Sequence, residues 1–172
     1  MTTLVSPVIE GDGVRLRPAA PADVDVLVAL FAEPVVLTWW FAHDRAKVAK
    51  LIAQDDQFGW VIEVEGDVLG WIQAGEDDDD EYRSAWIDIA VTSAAHGTGV
   101  ALDALRTVMA FLTEERGHHR ITIDPDPDNT RAVRAYEKVG FRRVGVMRHY
   151  CCRPDGTYAD GLLMEHVVGI DR

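Results

Sequence analysis

Apolar positions along the chain change their period several times, and each change marks an element. Val14-Arg15-Leu16-Arg17 alternates strictly and predicts a first strand. Residues 18–23 carry turn and helix-start chemistry, after which Val24, Leu27, Val28 and Phe31 recur at helical spacing and Pro34 closes the helix. A second helix is predicted over 45–54, with Val48, Leu51 and Ile52 on one face. The runs 60–65 and 68–73 flank Gly66-Asp67 and predict a hairpin. The acidic stretch from Glu76 to Glu81 reads as a loop.

In the strand predicted over 85–92, Ile87, Ile89 and Val91 share one face while Trp86, Asp88 and Ala90 share the other. A glycine-containing loop over 93–100 leads into a helix with Leu102, Leu105, Met109 and Leu112 on one stripe, ending near Gly117. Residues 120–124 form a strand that Pro125-Asp126-Pro127-Asp128 ends. Asn129 starts a further helix and Gly140 stops it. Two last strands, 142–152 and 162–168, join across Pro154-Asp155-Gly156. This order predicts one α/β (α+β) domain over residues 1–172 with a mixed central sheet, and residues 1–10 as a flexible tail.

Composition narrows the function. With 172 residues and 48% apolar content the chain supports one sizeable core. No apolar run reaches the roughly 18–20 residues of a membrane span. The first ten residues lack the basic start and apolar run of a secretion signal, so the cytoplasm is the expected compartment. A net charge of −12 argues against nucleic acid or an anionic membrane as partner, and suits a cationic substrate. Cys151 and Cys152 are adjacent and read as reduced thiols on or beside a strand. His118 and His119 are adjacent too, and neighbours do not converge on one metal, so no metal is expected.

Two segments carry chemistry. His96-Gly97-Thr98-Gly99-Val100-Ala101 stands where a strand ends and a helix begins, where glycines let the backbone approach a ligand and free amides face an anion such as a pyrophosphate. The second is Asp124-Pro125-Asp126-Pro127-Asp128-Asn129-Thr130-Arg131-Ala132-Val133-Arg134-Ala135-Tyr136-Glu137-Lys138-Val139-Gly140-Phe141. Together they resemble the GNAT acetyltransferases, with a pyrophosphate loop followed by N-x-x-A-x-x-x-Y-x-K-x-G-F. The D-P-x-P-x-N form is most similar to the aminoglycoside 6'-N-acetyltransferases. Val14 to Pro18, Trp39-Trp40 and Gly66 to Trp71 add to the likeness. One position departs from it: His96 stands where that family usually has Arg or Gln.

The resemblance implies a GNAT fold, with a mostly antiparallel sheet flanked by helices, and acetyl-CoA as cosubstrate. It assigns Gly97, Thr98, Gly99, Val100 and Ala101 to the pyrophosphate, with His96 beside them. Ala90, Val91 and Asn129 are assigned to the pantetheine arm and Arg134 to the cofactor phosphates, while Arg131 is read as facing solvent. Tyr136 is the implied general acid, and Asp88 and Asp124 the acidic residues that hold the amine and take its proton. Trp39, Trp40, Asp77 and Asp78 are candidates for the substrate site, with Trp60 as a further sugar-facing wall. The expected activity is acetylation of an aminoglycoside amine, at the 6' position, conferring resistance. Two alternatives remain: acetylation of a protein N-terminus, polyamine or other small amine, and a CoA-binding sensor without turnover. A monomer and a homodimer both fit the sequence.

Overall fold

The computed structural model describes residues 3–169. Eight strands form one sheet in the order β1-β2-β3-β4-β5-β6-β8-β7. They are β1 Ile9–Glu10, β2 Arg15–Pro18, β3 Phe58–Val64, β4 Asp67–Asp77, β5 Ser84–Val91, β6 Arg120–Ile123, β7 Arg142–Cys152 and β8 Tyr158–Val167. The helices are α1 Val24–Ala32, α2 Pro34–Trp40, α3 Arg45–Ile52, α4 Val100–Ala110 and α5 Thr130–Lys138, with a π-helical turn, Phe111–Glu115, continuing α4. Every strand pair is antiparallel except β5–β6. Among the described residues no helix is long and apolar enough to cross a membrane.

Both faces of the central strands are covered, which explains their nearly unbroken apolar sequence. On one face, Trp60, Ile62, Ile72 and Ile87 pack with Leu105, Val108 and Leu112 from the α4 region and with Val133 and Tyr136 of α5. On the other, Val61, Trp71 and Ala90 pack with Leu27 and Phe31 of α1, Val36 of α2 and Val48 of α3. Side chains on a strand alternate between faces, so consecutive Trp60, Val61 and Ile62 are all fully buried, in different cores. Each such side chain contributes about 1.5–3 kcal/mol by leaving water.

Four expectations need correction. Pro34 ends α1 but also starts α2: Glu33 is extended, as a residue before proline prefers, and the fixed φ of proline suits a first helical position. Trp60 is core, stacked on Phe58 and edge-on to Phe111, with its indole N–H donating to Pro7 O at 2.7 Å. It cannot wall a sugar site.

The flexible tail over 1–10 is replaced by pinned chain where the structure describes it, with residues 1 and 2 lying outside the described residues. Ile9–Glu10 pairs with β2, Leu4 N donates to Asp55 O at 2.8 Å, and Gly59 N donates to Ser6 Oγ at 2.9 Å. The acidic run is not all loop either. Strand β4 runs to Asp77, and the side chain of Glu76 is buried where Arg116 donates to it twice, at 2.7 and 2.8 Å, and His118 Nε2 lies 2.9 Å away.

Candidate active site

The site begins where two neighbouring strands part. Parallel pairing of β5 with β6 covers only Ala85↔Ile121 and Trp86↔Thr122. Beyond that the β6 side of β5 is open. Thr92 N donates to Leu69 O on β4, so by alternation the main-chain groups of Val91 and Ile89 face away from β4, toward the gap. In that gap Ile89 O accepts the Trp40 indole N–H at 3.2 Å, and Ile89 N donates to Asp88 Oδ1 at 3.1 Å. The Val91 amide is aimed at the same opening.

The loop after β5 supplies more donors. Gly97 and Gly99 have φ of 75° and 92°, and a Cβ on either would meet nothing within 4 Å. Glycine is therefore required there by backbone conformation and not by crowding. Gly99 is the residue preceding α4, and the first helical bond runs from Asp103 N to Gly99 O, which leaves the Ala101 and Leu102 amides at an open helix end. Glu33 Oε2 anchors the loop start by accepting from Ser93 N at 2.7 Å. Across the gap, Arg131 of α5 donates to the His96 ring. Burial and then the Arg131 charge hold His96 below its ordinary pKa, with Glu33 opposing, so His96 is the neutral acceptor.

Two carboxylates and two phenols line the same cleft, a cavity of about 1490 Å³. Burial, and then the charge of Asp124, push the Asp88 carboxyl up to about 8, while the Ile89 amide opposes them. Asp124 is also pushed up by burial, with the Tyr150 hydroxyl as the opposing influence. Tyr136 is buried and pushed well above the usual phenol range, first by burial and then by the charges of Asp88 and Asp124. It therefore remains protonated wherever Asp88 titrates.

The acetyltransferase (GNAT) domain family matches residues 14–142, three quarters of the chain. The chain belongs to the GNAT acetyltransferases. It is 26% identical over 166 residues to aminoglycoside N(6')-acetyltransferase type 1 of Klebsiella pneumoniae, covering 84% of this chain and 80% of that protein. A relative named for another amine, spermidine N(1)-acetyltransferase of Escherichia coli, is 23% identical over 143 residues, covering 79% of this chain and 76% of its own. The solved structure of AAC(6')-Ib with paromomycin and acetyl-CoA superposes with a TM-score of 0.73 at 25% identity, covering 91% of this chain and 94% of that one.

Acetyl-CoA is accordingly the acetyl donor of this GNAT protein, and the residues present fit it. The splayed edge offers Val91 main-chain groups to an extended amide-bearing arm, and the glycine loop offers amides to a diphosphate. Of the residues predicted for the site, Asp88, Ala90, Val91, His96, Gly97, Thr98, Gly99, Ala101, Asp124, Asn129, Arg134 and Tyr136 line the one cleft, while Val100, the first residue of α4, does not. Asn129 also caps α5, its Oδ1 accepting from Ala132 N at 3.3 Å. Trp39 and Trp40 line the cleft from α2.

Asp77 and Asp78 do not line it. Asp88 sits opposite Gln73 on β4, so Asp77 is four strand positions away, about 14 Å. Arg131 is exposed, as expected, and also bridges to His96. Sequence reasoning also missed Tyr150 and Glu33. Nothing in the chain's pattern marks Tyr150, because its placement depends on a strand irregularity that no glycine or proline announces.

Proposed function

We propose that this GNAT enzyme acetylates a primary amine of a polycationic amino sugar, at the 6'-amine of an aminoglycoside. The observation that carries this reading is the Asp88–Asp124 pair at the strand splay, beside the amide-lined gap and under the two α2 tryptophans. An amine in water is protonated, and a protonated amine cannot attack a carbonyl. A carboxylate pair attracts the ammonium, and a member with a pKa near 8 is a far better base than an ordinary aspartate.

In this reading Asp88 takes the ammonium proton, directly or through one water, as the nitrogen forms its bond to the acetyl carbon. The Val91 amide donates to the acetyl oxygen as that oxygen gains negative charge. Tyr136 hydrogen-bonds the sulfur; its proton passes to the thiolate as the carbon–sulfur bond breaks, and the second proton shed by the new amide nitrogen restores the Tyr136 hydroxyl. Because its pKa is raised, that transfer comes late, and the hydrogen bond supplies most of its effect. The loop amides and Arg134 hold the phosphates, and aromatic faces from Trp39 and Trp40 suit a sugar ring.

The similarity to an aminoglycoside N(6')-acetyltransferase supports the amino-sugar reading. The similarity to a spermidine acetyltransferase favours a second, because two carboxylates suit any flexible polyamine as well. A thiol-release assay with acetyl-CoA separates them. We expect CoA release with kanamycin, and weaker release with spermidine and with an alanine-initiated peptide. Release with spermidine alone would move the assignment to polyamines. Thermal stabilisation by CoA, with no release for any amine, would leave a sensor.

A further inference from the structure

The parting of β5 from β6 leaves a main-chain problem that one side chain solves. Strand β6 ends at Ile123, and the carbonyl of Pro125 accepts from Leu162 N of β8 at 2.8 Å, so the chain beyond β6 turns toward β8. Ile89 is half-buried on the open side of β5, beyond the paired stretch. A main-chain carbonyl withdrawn from water needs a donor, and the Trp40 indole N–H supplies it at 3.2 Å. The Ile89 N–H is engaged as well, by Asp88 Oδ1 at 3.1 Å. Side chains thus occupy both main-chain groups of Ile89, while those of Val91, two residues on, face the same gap. The indole is braced in this position. It packs against the core that holds Leu27, Val36 and Ala90. Its ring centroid lies 5.3 Å from Phe31 and 6.2 Å from His43, and His43 stacks on Phe31 at 4.3 Å. Phe41 ends α2 with a φ of 58°, which a non-glycine residue adopts only under constraint, and its carbonyl accepts from His43 Nδ1 at 3.1 Å.

We propose that Trp40 is a positioning residue that sets how deep acetyl-CoA sits: by occupying the Ile89 carbonyl it confines the cofactor's extended arm to Val91. This rests on the reading above, in which Val91 meets the arm and the acetyl oxygen, and adds what excludes the neighbouring position. An extended, amide-bearing ligand laid on a sheet edge repeats its bonding every two residues, a step of about 7 Å, so an edge with two free positions accepts two registers. The glycine loop grips the diphosphate and therefore fixes one end of a flexible arm, leaving slack at the other. A slip to Ile89 would carry the thioester past the Val91 amide, and a misplacement of even 1 Å can cost about a hundredfold in rate. Filling the Ile89 position removes that alternative. Trp40 acts here through the Ile89 carbonyl, and its N–H needs no contact with the reacting atoms. The strained turn at Phe41 and the His43–Phe31 stack keep the donor in place when the cleft is empty, so the register is decided before the cofactor arrives.

The test is Trp40→Phe, which keeps an aromatic ring and removes the N–H. Crystals of parent and variant with CoA, calorimetry with CoA, and steady-state rates with kanamycin read the effect. In the parent complex the arm should bond the Val91 main chain while the indole stays on Ile89 O. In the variant the arm should move toward Ile89 or divide between two positions. There kcat should fall about 10–100-fold while CoA affinity stays within about threefold, because the diphosphate grip is untouched. A tryptophan with a merely structural role would lower Tm on replacement and leave kcat and the arm as they were, and that outcome overturns the proposal. So does a parent complex in which the arm bonds Ile89 O and the indole has left it, a result that does not depend on the variant folding. Arm positions as expected in a protein that acetylates none of the amines tried would instead count against the substrate reading alone.

Discussion

Asp88 combines two demands that pull against each other. Its carboxyl is pushed up to about 8 by burial and by Asp124, so the folded state prefers it protonated while catalysis needs it ionised. Its folded pKa lies above its unfolded value of 3.8, so the neutral form favours folding. That contribution is complete below about pH 4 and is lost as pH rises toward 8. Asp88→Asn should therefore raise Tm at neutral pH relative to the parent. The gain should be absent near pH 4 and grow to pH 8, as thermal melts across that range would show. The same change should lower kcat/KM about 10²–10⁴-fold and abolish the rise in rate toward pH 8. A variant that is inactive and no more stable would place Asp88 outside the acid–base role. Gly99 makes a different demand. Its φ of 92° falls outside the comfort of any side chain, while the space around it is open. Gly99→Ala should cost about 1–2 kcal/mol in stability. It should raise the KM for acetyl-CoA well over tenfold and change kcat much less, since the loop grips phosphates and does no chemistry. Equal losses in both parameters would mean the loop shapes the reacting centre as well.

At the scale of elements, some features were legible in the sequence and others were not, for physical reasons. The face assignment of β5 was readable because strand alternation is strict, so Asp88 and Ala90 were bound to share the side opposite Ile87. Proline and glycine signals located the glycine loop, the turn after β6 and the end of α5. Helix α2 was not readable, because its Val35-Val36 and Trp39-Trp40 content argues against a helix and tertiary packing on α1 overrides that preference. The acidic run misled for a similar reason. A burial pattern cannot reveal that Glu76 has partners forty residues away in Arg116 and His118. That cluster ties the far end of β4 to the end of the α4 region. Arg116 and then His118 hold the Glu76 carboxyl below its ordinary value. The stability it confers is thus present above the unfolded pKa and lost as pH falls through the lower, folded one. Glu76→Gln should destabilise by about 2–3 kcal/mol at pH 7, less than a fully buried pair because Arg116 is partly in water. The deficit should shrink below pH 4 in urea titrations, and a deficit independent of pH would show that packing alone is at stake.

For the whole molecule the relevant quantity is the field. A net charge of −12 surrounds a cleft whose own walls carry Asp88 and Asp124, while Asp77 to Asp80 form an acidic prominence about 14 Å of strand from Asp88. That distance excludes direct contact with an amine in reaction, so the prominence can act only through space. Such action has a signature. The Debye length is about 10 Å at 0.1 M salt and about 30 Å at 0.01 M, so the run reaches the cleft in dilute buffer and is screened in concentrated salt. Neutralising Asp77, Asp78, Asp79 and Asp80 together to Asn should raise KM for a polycationic amine several-fold at 10 mM salt. At 0.5 M the variant and parent should converge, with kcat unchanged at both, because steering acts on encounter and not on the bond-making step. A monoamine should feel the substitutions less than a polyamine, in proportion to its charge. If KM rises equally at both salt concentrations, the four residues touch the substrate or shape its site, and the separation measured along β4 would no longer describe the working enzyme.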